Sequence, residues 1–516
     1  MFTTTAFGSD SRSGGIAHIV LKSDDLDSLD YALSYNDASF ALVDTTCARL
    51  IGYSDTSLSK GLRLEPEVAT GFPHVSRDRK TYTFTLRRGF RFNDGTPVRA
   101  NAFANSINRL LAPAVKSKLA PYMQDIVGAD RVLAGKADAP TGVVAHGLTL
   151  VIRLTHPLPD FLFRVGSLCA VPPTLPPDPE GAGRYPAAGP YYISDYRADE
   201  KVSLRRNPFY AGRRPHHVDG FDVDLSPTGY GEVLDKIERG GADWGWAPAD
   251  EYREPVRHLV AKYGVNRSRF FLTPGFGFFG FALNSSRPLF RDNPKLRQAI
   301  NFAVDRTALR RLTGGLFASR ATDQYLPPLM PGYEDARIYP LDKPDLTRAE
   351  ALARGNTRSG RAVLYTVARP EMIAAAQQVK SDLAKIGLDV EIKAVSKTAW
   401  FYRIAPSGQF DIGFQPWGAD YFDPFSVLNV LFDGSFIGST NWGRFDSPYY
   451  NRLLRRAASL KGEARFAAYG ALDVKLARDA APMLAVSISN TPTLVSKRTG
   501  CRVFRPQLDL TAMCLR

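Results

Sequence analysis

The sequence predicts a mixed α/β protein of two or three lobes, and three observations carry that prediction. The chain has 516 residues, against a typical ~100–200 per domain, so one core is not enough. In KTYTFTLRRGFRF, Tyr82, Phe84 and Leu86 alternate with Thr81, Thr83 and Thr85, the period-two pattern of a half-buried strand. In PEMIAAAQQVKSDLAKIGLDVEIKAV, Ile373, Ala376, Val379, Leu383 and Ile386 recur at helical spacing, Gly387 stops the helix, and Leu388, Val390 and Ile392 then alternate with Asp389, Glu391 and Lys393. A helix feeding directly into a strand is the unit of a mixed α/β lobe.

The remaining elements follow in order. IAHIV reads as a short strand, followed by a polar loop and a helix that begins between Asn36 and Ser39. After the 81–86 strand, Asn93-Asp94-Gly95 makes a turn, because these residues tolerate positive φ. A helix then carries Phe103, Ile107, Leu110 and Leu111 on one face. Residues 140 to 190 are rich in proline and glycine and read as a crossing between subdomains. PYYISDYRADEKVSLRRNPFY alternates like a hairpin, VLDKIERGGADWGW reads as helix, glycine stop and strand, and PKLRQAINFAVDRTALRRL is helical with Pro294 in its first turn.

Composition excludes several classes. Hydrophobic residues at 44% and charged residues at 23% are those of a globular protein, and no apolar run approaches the ~18–20 residues of a membrane helix. The formal charge of +14 comes from Lys and Arg spread along the chain without the dense blocks of nucleic-acid arms, so a basic surface facing anionic lipid or cell wall is expected rather than a nucleic-acid partner. Residues 1–15, MFTTTAFGSDSRSGG, form a polar tail with neither the basic start nor the apolar stretch of a leader. Either the protein is cytoplasmic or its leader has been removed, and the cysteines favour removal. Cys501 and Cys514 bracket a segment at the C-terminal end, where a disulfide pins a loose tail and adds roughly 2–4 kcal/mol. Cys47 and Cys169 remain as a second pair, although spacing leaves connectivity open and four separate thiols are the alternative. No Cys/His spacing suits zinc, so neither metal nor cofactor is expected.

Most motifs reduce to ordinary structure. GFGFFG, residues 275–280, has the GxGxxG spacing but runs into FALN instead of opening a helix, so it reads as a glycine-bearing strand whose Phe276, Phe278 and Phe279 line a core or a cleft. His216 and His217 are adjacent and read as loop residues. No GxSxG, HExxH or Walker loop is present, and no catalytic residue is assigned. One stretch stands apart. QPWGADYFDPFSVLNV sets Asp420 and Asp423 among Trp417, Tyr421, Phe422 and Phe425. Paired acids hold a metal, cleave a bond or receive a cation; a glycosidase-type set of Asp411, Asp420 and Asp423 is the minor reading.

The order YTFTLRRGFRFNDGTPV, AGPYYI, LRRNPFYAGRRPHHVDGF, FALNSSRPLFRDNPKLRQAINFAVDR, WGADYFDP resembles the family-five solute-binding proteins that feed peptide and nickel ABC transporters, over residues 16 to about 500. The resemblance implies a periplasmic-binding-protein-like, two-lobed clamp: a first lobe of 16–50, 169–271 and 483–516, an inserted subdomain of 51–168, and a second lobe of 272–482, hinged near 268–275 and 482–490. It implies a monomeric, extracytoplasmic binding protein without enzymatic activity, held at the membrane by a lipid anchor in its full-length form, which takes short peptides into an interlobe cleft and delivers them to ABC transporter permease subunits. The same clamp binding a nickel chelate, haem, an opine or an oligosaccharide is the alternative. By the WGADY match, Asp420 takes the ligand's α-amino group, while Trp417, Tyr421, Phe276, Phe278 and Phe279 wall the cleft. Ser34 and Tyr35 face it from the first lobe, and Arg369 and Arg403 are candidates to hold the far carboxylate. Asp423, before Pro424, is expected to hold its loop in shape.

Overall fold

A computed structural model describes residues 13–22, 25–55, 64–166, 168–247, 253–501 and 508–516; most of the expected tail, residues 1–12, lies outside the described residues. The chain divides into two compact units, Met1–Ala247 with Lys262–Phe271 and Thr493–Arg516, and Pro248–Ala261 with Leu272–Pro492. The lobes expected from sequence differ from this division at 253–261 and 483–492, which group with the second unit. Residues 487–489 of that stretch form a ladder with Ser319–Ala321, which ties them there.

In the first unit, Ile16–Val20 is parallel to Gly220–Asp224 on one side and to Trp244–Trp246 on the other. The hairpin Tyr191–Arg197 and Lys201–Arg206 extends the sheet antiparallel beyond Gly220–Asp224. Its inward residues, among them Ile19, Leu204, Phe221 and Trp244, share a core with Leu510 and Met513 near the C-terminus. The alternating stretch 81–86 forms the strand Thr81–Thr85 of a separate four-stranded sheet with His74–Val75, Thr149–Arg153 and Val143–His146. Tyr82 and Phe84 point into a core shared with Phe103, Ile107, Leu110 and Leu111 of the helix Ala100–Leu111. The turn between them forms as its residues predict: Gly95 has φ 86° and Asp94 Oδ1 accepts from Thr96 N at 2.9 Å. Both disulfides are present, Cys47–Cys169 and Cys501–Cys514.

A charged residue braces this core. Arg109, on the polar margin of its helix, is fully buried and meets Asp30 through both terminal nitrogens, at 2.8 and 2.6 Å. Two buried charges are stable together because each satisfies the other's desolvation; one alone is costly. Arg109 Nε also donates to Pro176 O at 3.0 Å, and Asp30 accepts from Ala182 N at 2.8 Å, so the pair ties the proline-rich crossing to the helix.

The second unit is built on the strands Asp389–Val395, Arg361–Val367, Ile412–Gly418 and Phe270–Leu283, in that order, with Met483–Val495 beyond. The expected helix and strand appear as Pro370–Ala384 and Asp389–Val395, joined through Gly387 at φ 81°, the left-handed conformation a helix stop requires. The helix Pro294–Ala303 begins on Pro294 and is capped by Asn293. GFGFFG lies wholly inside the single strand Phe270–Leu283, and no helix opens there.

Asp473, on the helix Gly462–Lys475, is fully buried and accepts from Tyr325 N at 3.0 Å, Leu326 N at 3.2 Å and Gln324 Nε2 at 3.2 Å. Burial outweighs these donors and pushes its carboxyl up from 3.8 to about 7. The folded protein therefore holds a proton that the unfolded chain releases above pH 3.8, so this group's contribution is full below 3.8 and is lost as pH rises through about 7. Two outcomes follow. Between pH 4 and 7, urea melts should show stability falling with a slope of up to ~1.4 kcal/mol per unit from this group, a slope absent from Asp473→Asn. Arg109→Met should lower unfolding free energy by about 3–5 kcal/mol in the same assay, because it strands Asp30 in the core.

Candidate functional site

The strand Ile412–Gly418 lies antiparallel to Phe270–Leu283, with Trp417 opposite Phe278 and Gly418 opposite Gly277. Ala419 and Asp420 follow its end, and the helix Phe425–Phe432 begins after Pro424. The loop between is fastened on both sides of Asp420. Upstream, Trp417 Nε1 donates to Ser426 O at 2.8 Å. Downstream, Tyr421, Phe422 and Asp423 are all buried, and the Phe422 ring packs on Phe276 with centroids 4.5 Å apart. Ser426 Oγ lies 2.9 Å from Tyr421 O and 2.8 Å from Asp423 O, and so folds the turn back onto the helix start.

Asp423 is the anchor. Its carboxylate is fully buried and receives Arg465 Nε at 2.9 Å and Nη2 at 2.7 Å, a two-pronged pair, while Oδ1 also accepts from Phe425 N at 2.9 Å. The guanidinium fork matches the carboxylate plane, so it fixes direction as well as distance. Asp420, between these fastenings, is exposed. The loop thus presents one carboxylate to solvent and keeps the other inside.

The remaining expected residues fall in different surroundings. Phe276 and Phe278 are buried, the second with its ring 6.4 Å from Tyr325, and Phe279 packs on Phe281 and Phe414. Glycines at 275, 277 and 280 let this strand run close to Ser489 and Leu484, and of the three rings Phe279 is only half-buried. Tyr421 is likewise buried, and Trp417 is half-buried. In the first unit, Tyr35 is 43% exposed with Lys118 Nζ 4.8 Å from its ring centre, whereas Ser34 is buried and its hydroxyl lies against Ser28 O and Asp30 O. Ser34 therefore serves its own loop. Arg369 is exposed and pairs with Glu371 at 2.8 Å, and Arg403 is exposed on the turn Trp400–Ile404.

The paired-acid reading loses its members one by one. Asp423 is spent on Arg465, and Asp411 accepts from Val363 N at 2.9 Å and pairs with Arg287 at 3.2 Å. Among the described residues no group of three or more metal-ligating side chains gathers. What the sequence did not disclose is Arg465, which lies far along the chain on a helix with no motif of its own. The only signal for its need was a buried aspartate before proline.

Comparison with known proteins places this loop in context. The profile of the Bacterial extracellular solute-binding proteins, family 5 Middle, matches residues 63–439, most of the chain and all of the Asp420 loop. The chain belongs to this family. The oligopeptide-binding protein OppA of Bacillus subtilis (strain 168) is 24% identical over 408 residues, covering 74% of this chain and 72% of that protein. Heme-binding protein A of Haemophilus influenzae is 26% identical over 435 residues, covering 77% and 74%. The solved structure of clavulanic acid biosynthesis oligopeptide binding protein 2 superposes with a TM-score of 0.84 at 23% identity, over 98% of this chain and 96% of that one. The fold is accordingly the two-lobed α/β fold of solute-binding proteins, as expected from sequence. By the family's own description its members are extracellular solute-binding proteins.

The anchor makes a prediction. Arg465→Met should destabilise the protein by about 3–5 kcal/mol in urea denaturation, and Arg465→Lys, which keeps the charge without the fork, by less.

Proposed function

We propose that this protein is the extracytoplasmic binding component of an ABC importer, that it captures short peptides, and that Asp420 receives their free α-ammonium group. The observation that carries the reading is the loop itself: WGADY holds one exposed carboxylate between two fastenings, Trp417 to Ser426 upstream and the buried Asp423–Arg465 pair downstream. An ammonium that leaves water for a protein site needs an anionic acceptor, and a carboxylate whose loop is already ordered receives it with little further entropic loss. Recognition of an end group rather than a side chain gives breadth of peptide sequence with a strict demand for a free amine. Oligopeptide-binding names among the relatives agree with this reading. The protein works as a monomer that hands its cargo to permease subunits, tethered near the membrane by a lipid anchor in its full-length form, and it releases peptide unaltered.

A second reading keeps the fold and changes the cargo, and the likeness to heme-binding protein A favours considering it. A solute without an ammonium has no use for Asp420. Calorimetry separates the two. Di- to pentapeptides with free amino ends should bind, their N-acetylated forms should bind weakly, and Asp420→Asn should lose about 2–5 kcal/mol of affinity. Peptide binding that is indifferent both to acetylation and to Asp420→Asn would sink the assignment of Asp420.

A further inference from the structure

The strand that leads to Asp420 has an opposite end, and a cavity lies there. Asp411 immediately precedes Ile412–Gly418, seven residues from the start of the Asp420 loop, or roughly 23 Å at ~3.3 Å per residue. Asp411 lines a cavity of about 430 Å³ together with Arg287, Arg361, Asp389 and Glu391. That volume is within the range of small-molecule sites, ~300–1,000 Å³. Pro288, Ala362 and Val363 give it an apolar side.

Only one ion pair joins the charges of this cavity to each other, Arg287 with Asp411. Asp411 is occupied, with one oxygen on Val363 N and the other on Arg287 Nε. That contact holds Arg287 by its inner nitrogen, and among the described residues no acceptor meets its two terminal ones. Glu391 pairs with Lys393 at 3.4 Å. Arg361 and Asp389 are aligned partners on neighbouring parallel strands, yet neither side chain makes an ion pair among the described residues. Opposite charges placed side by side and left unjoined, above an apolar wall, match a molecule that carries an ammonium and a carboxylate on one carbon.

We propose that this cavity is a second binding site, for a free amino acid with a small apolar side chain in its zwitterionic form. Its carboxylate meets Arg361 and the terminal nitrogens of Arg287, its ammonium meets Asp389, and its side chain rests on Pro288 and Val363. The bidentate geometry of guanidinium with carboxylate supplies direction, and the ammonium contact excludes simple anions. The site is independent of Asp420.

Equilibrium dialysis with radiolabelled L-valine tests it, using the full chain and the variants Arg361→Gln, Asp389→Asn and Asp420→Asn. Arg361 and Asp389 stand at exposed strand ends, so their variants should fold, as thermal melts will show. The expected result is saturable valine binding, equal in the full chain and Asp420→Asn, and weakened at least about tenfold in Arg361→Gln and Asp389→Asn. N-acetyl-L-valine and L-valinamide should each bind at least about tenfold more weakly than valine. Three results overturn the proposal: no saturable binding up to roughly 10 mM, binding lost in Asp420→Asn but kept in the other two variants, or N-acetyl-L-valine binding as well as valine.

Discussion

The pair between Asp423 and Arg465 is the constraint on which the presented carboxylate depends. A loop that leaves a strand and enters a helix within a few residues has backbone groups to satisfy and no ladder to satisfy them. Here the Asp423 carboxylate does both tasks, accepting Phe425 N at the start of the helix and the Arg465 fork from another helix. The two are buried to 0% and 5% side-chain exposure, so neither charge has water to fall back on. Pro424 pre-sets the backbone for the helix that follows. With that corner fixed, Trp417 and Ser426 close the other side, and the short segment bearing Asp420 has little freedom left.

Arginine is used in the same way elsewhere. Arg214 reaches Asp44 at 2.8 Å and Asp55 at 2.9 Å, and donates to Cys47 O at 3.0 Å beside the Cys47–Cys169 disulfide. Arg306 is fully buried and donates to the carbonyls of Thr322, Ala485 and Asn301; burial lowers its guanidinium to about 10, still charged at neutral pH. Several of the cations behind the formal +14 are therefore internal struts. Because Asp30, Asp55 and Asp423 are buried with their arginines, these pairs leave the net charge of the surface unchanged; a count of residues does not say which guanidinium groups face water.

Local pattern was enough for elements whose signal is periodic. The strand Thr81–Thr85, the helix Ala100–Leu111 and the run Pro370–Ala384 into Asp389–Val395 follow directly from apolar spacing and from Gly387. Asp423 was also legible as a loop-holding residue, because aspartate before proline at a helix start has a mechanism. The aromatics were not. Phe276, Phe278 and Phe279 carry the same composition whether they line a wall or fill a core, and only their contacts with Phe422, Tyr325 and Phe414 decide. Ser34 was no more legible: sequence does not show that its hydroxyl has the carbonyls of Ser28 and Asp30 beside it.

By itself the sequence determined the α/β class and the family, since both rest on order and spacing along one chain; that Asp420 is exposed came only from the structure. Tertiary structure alone decided which charges are joined. Arg465 finds Asp423, Arg109 finds Asp30, and Arg361 stands next to Asp389 without pairing, because such partnerships depend on where distant segments are brought together and how much water is left between them. Spacing along a chain does not encode that distance, and the energy of a charge is set almost entirely by it.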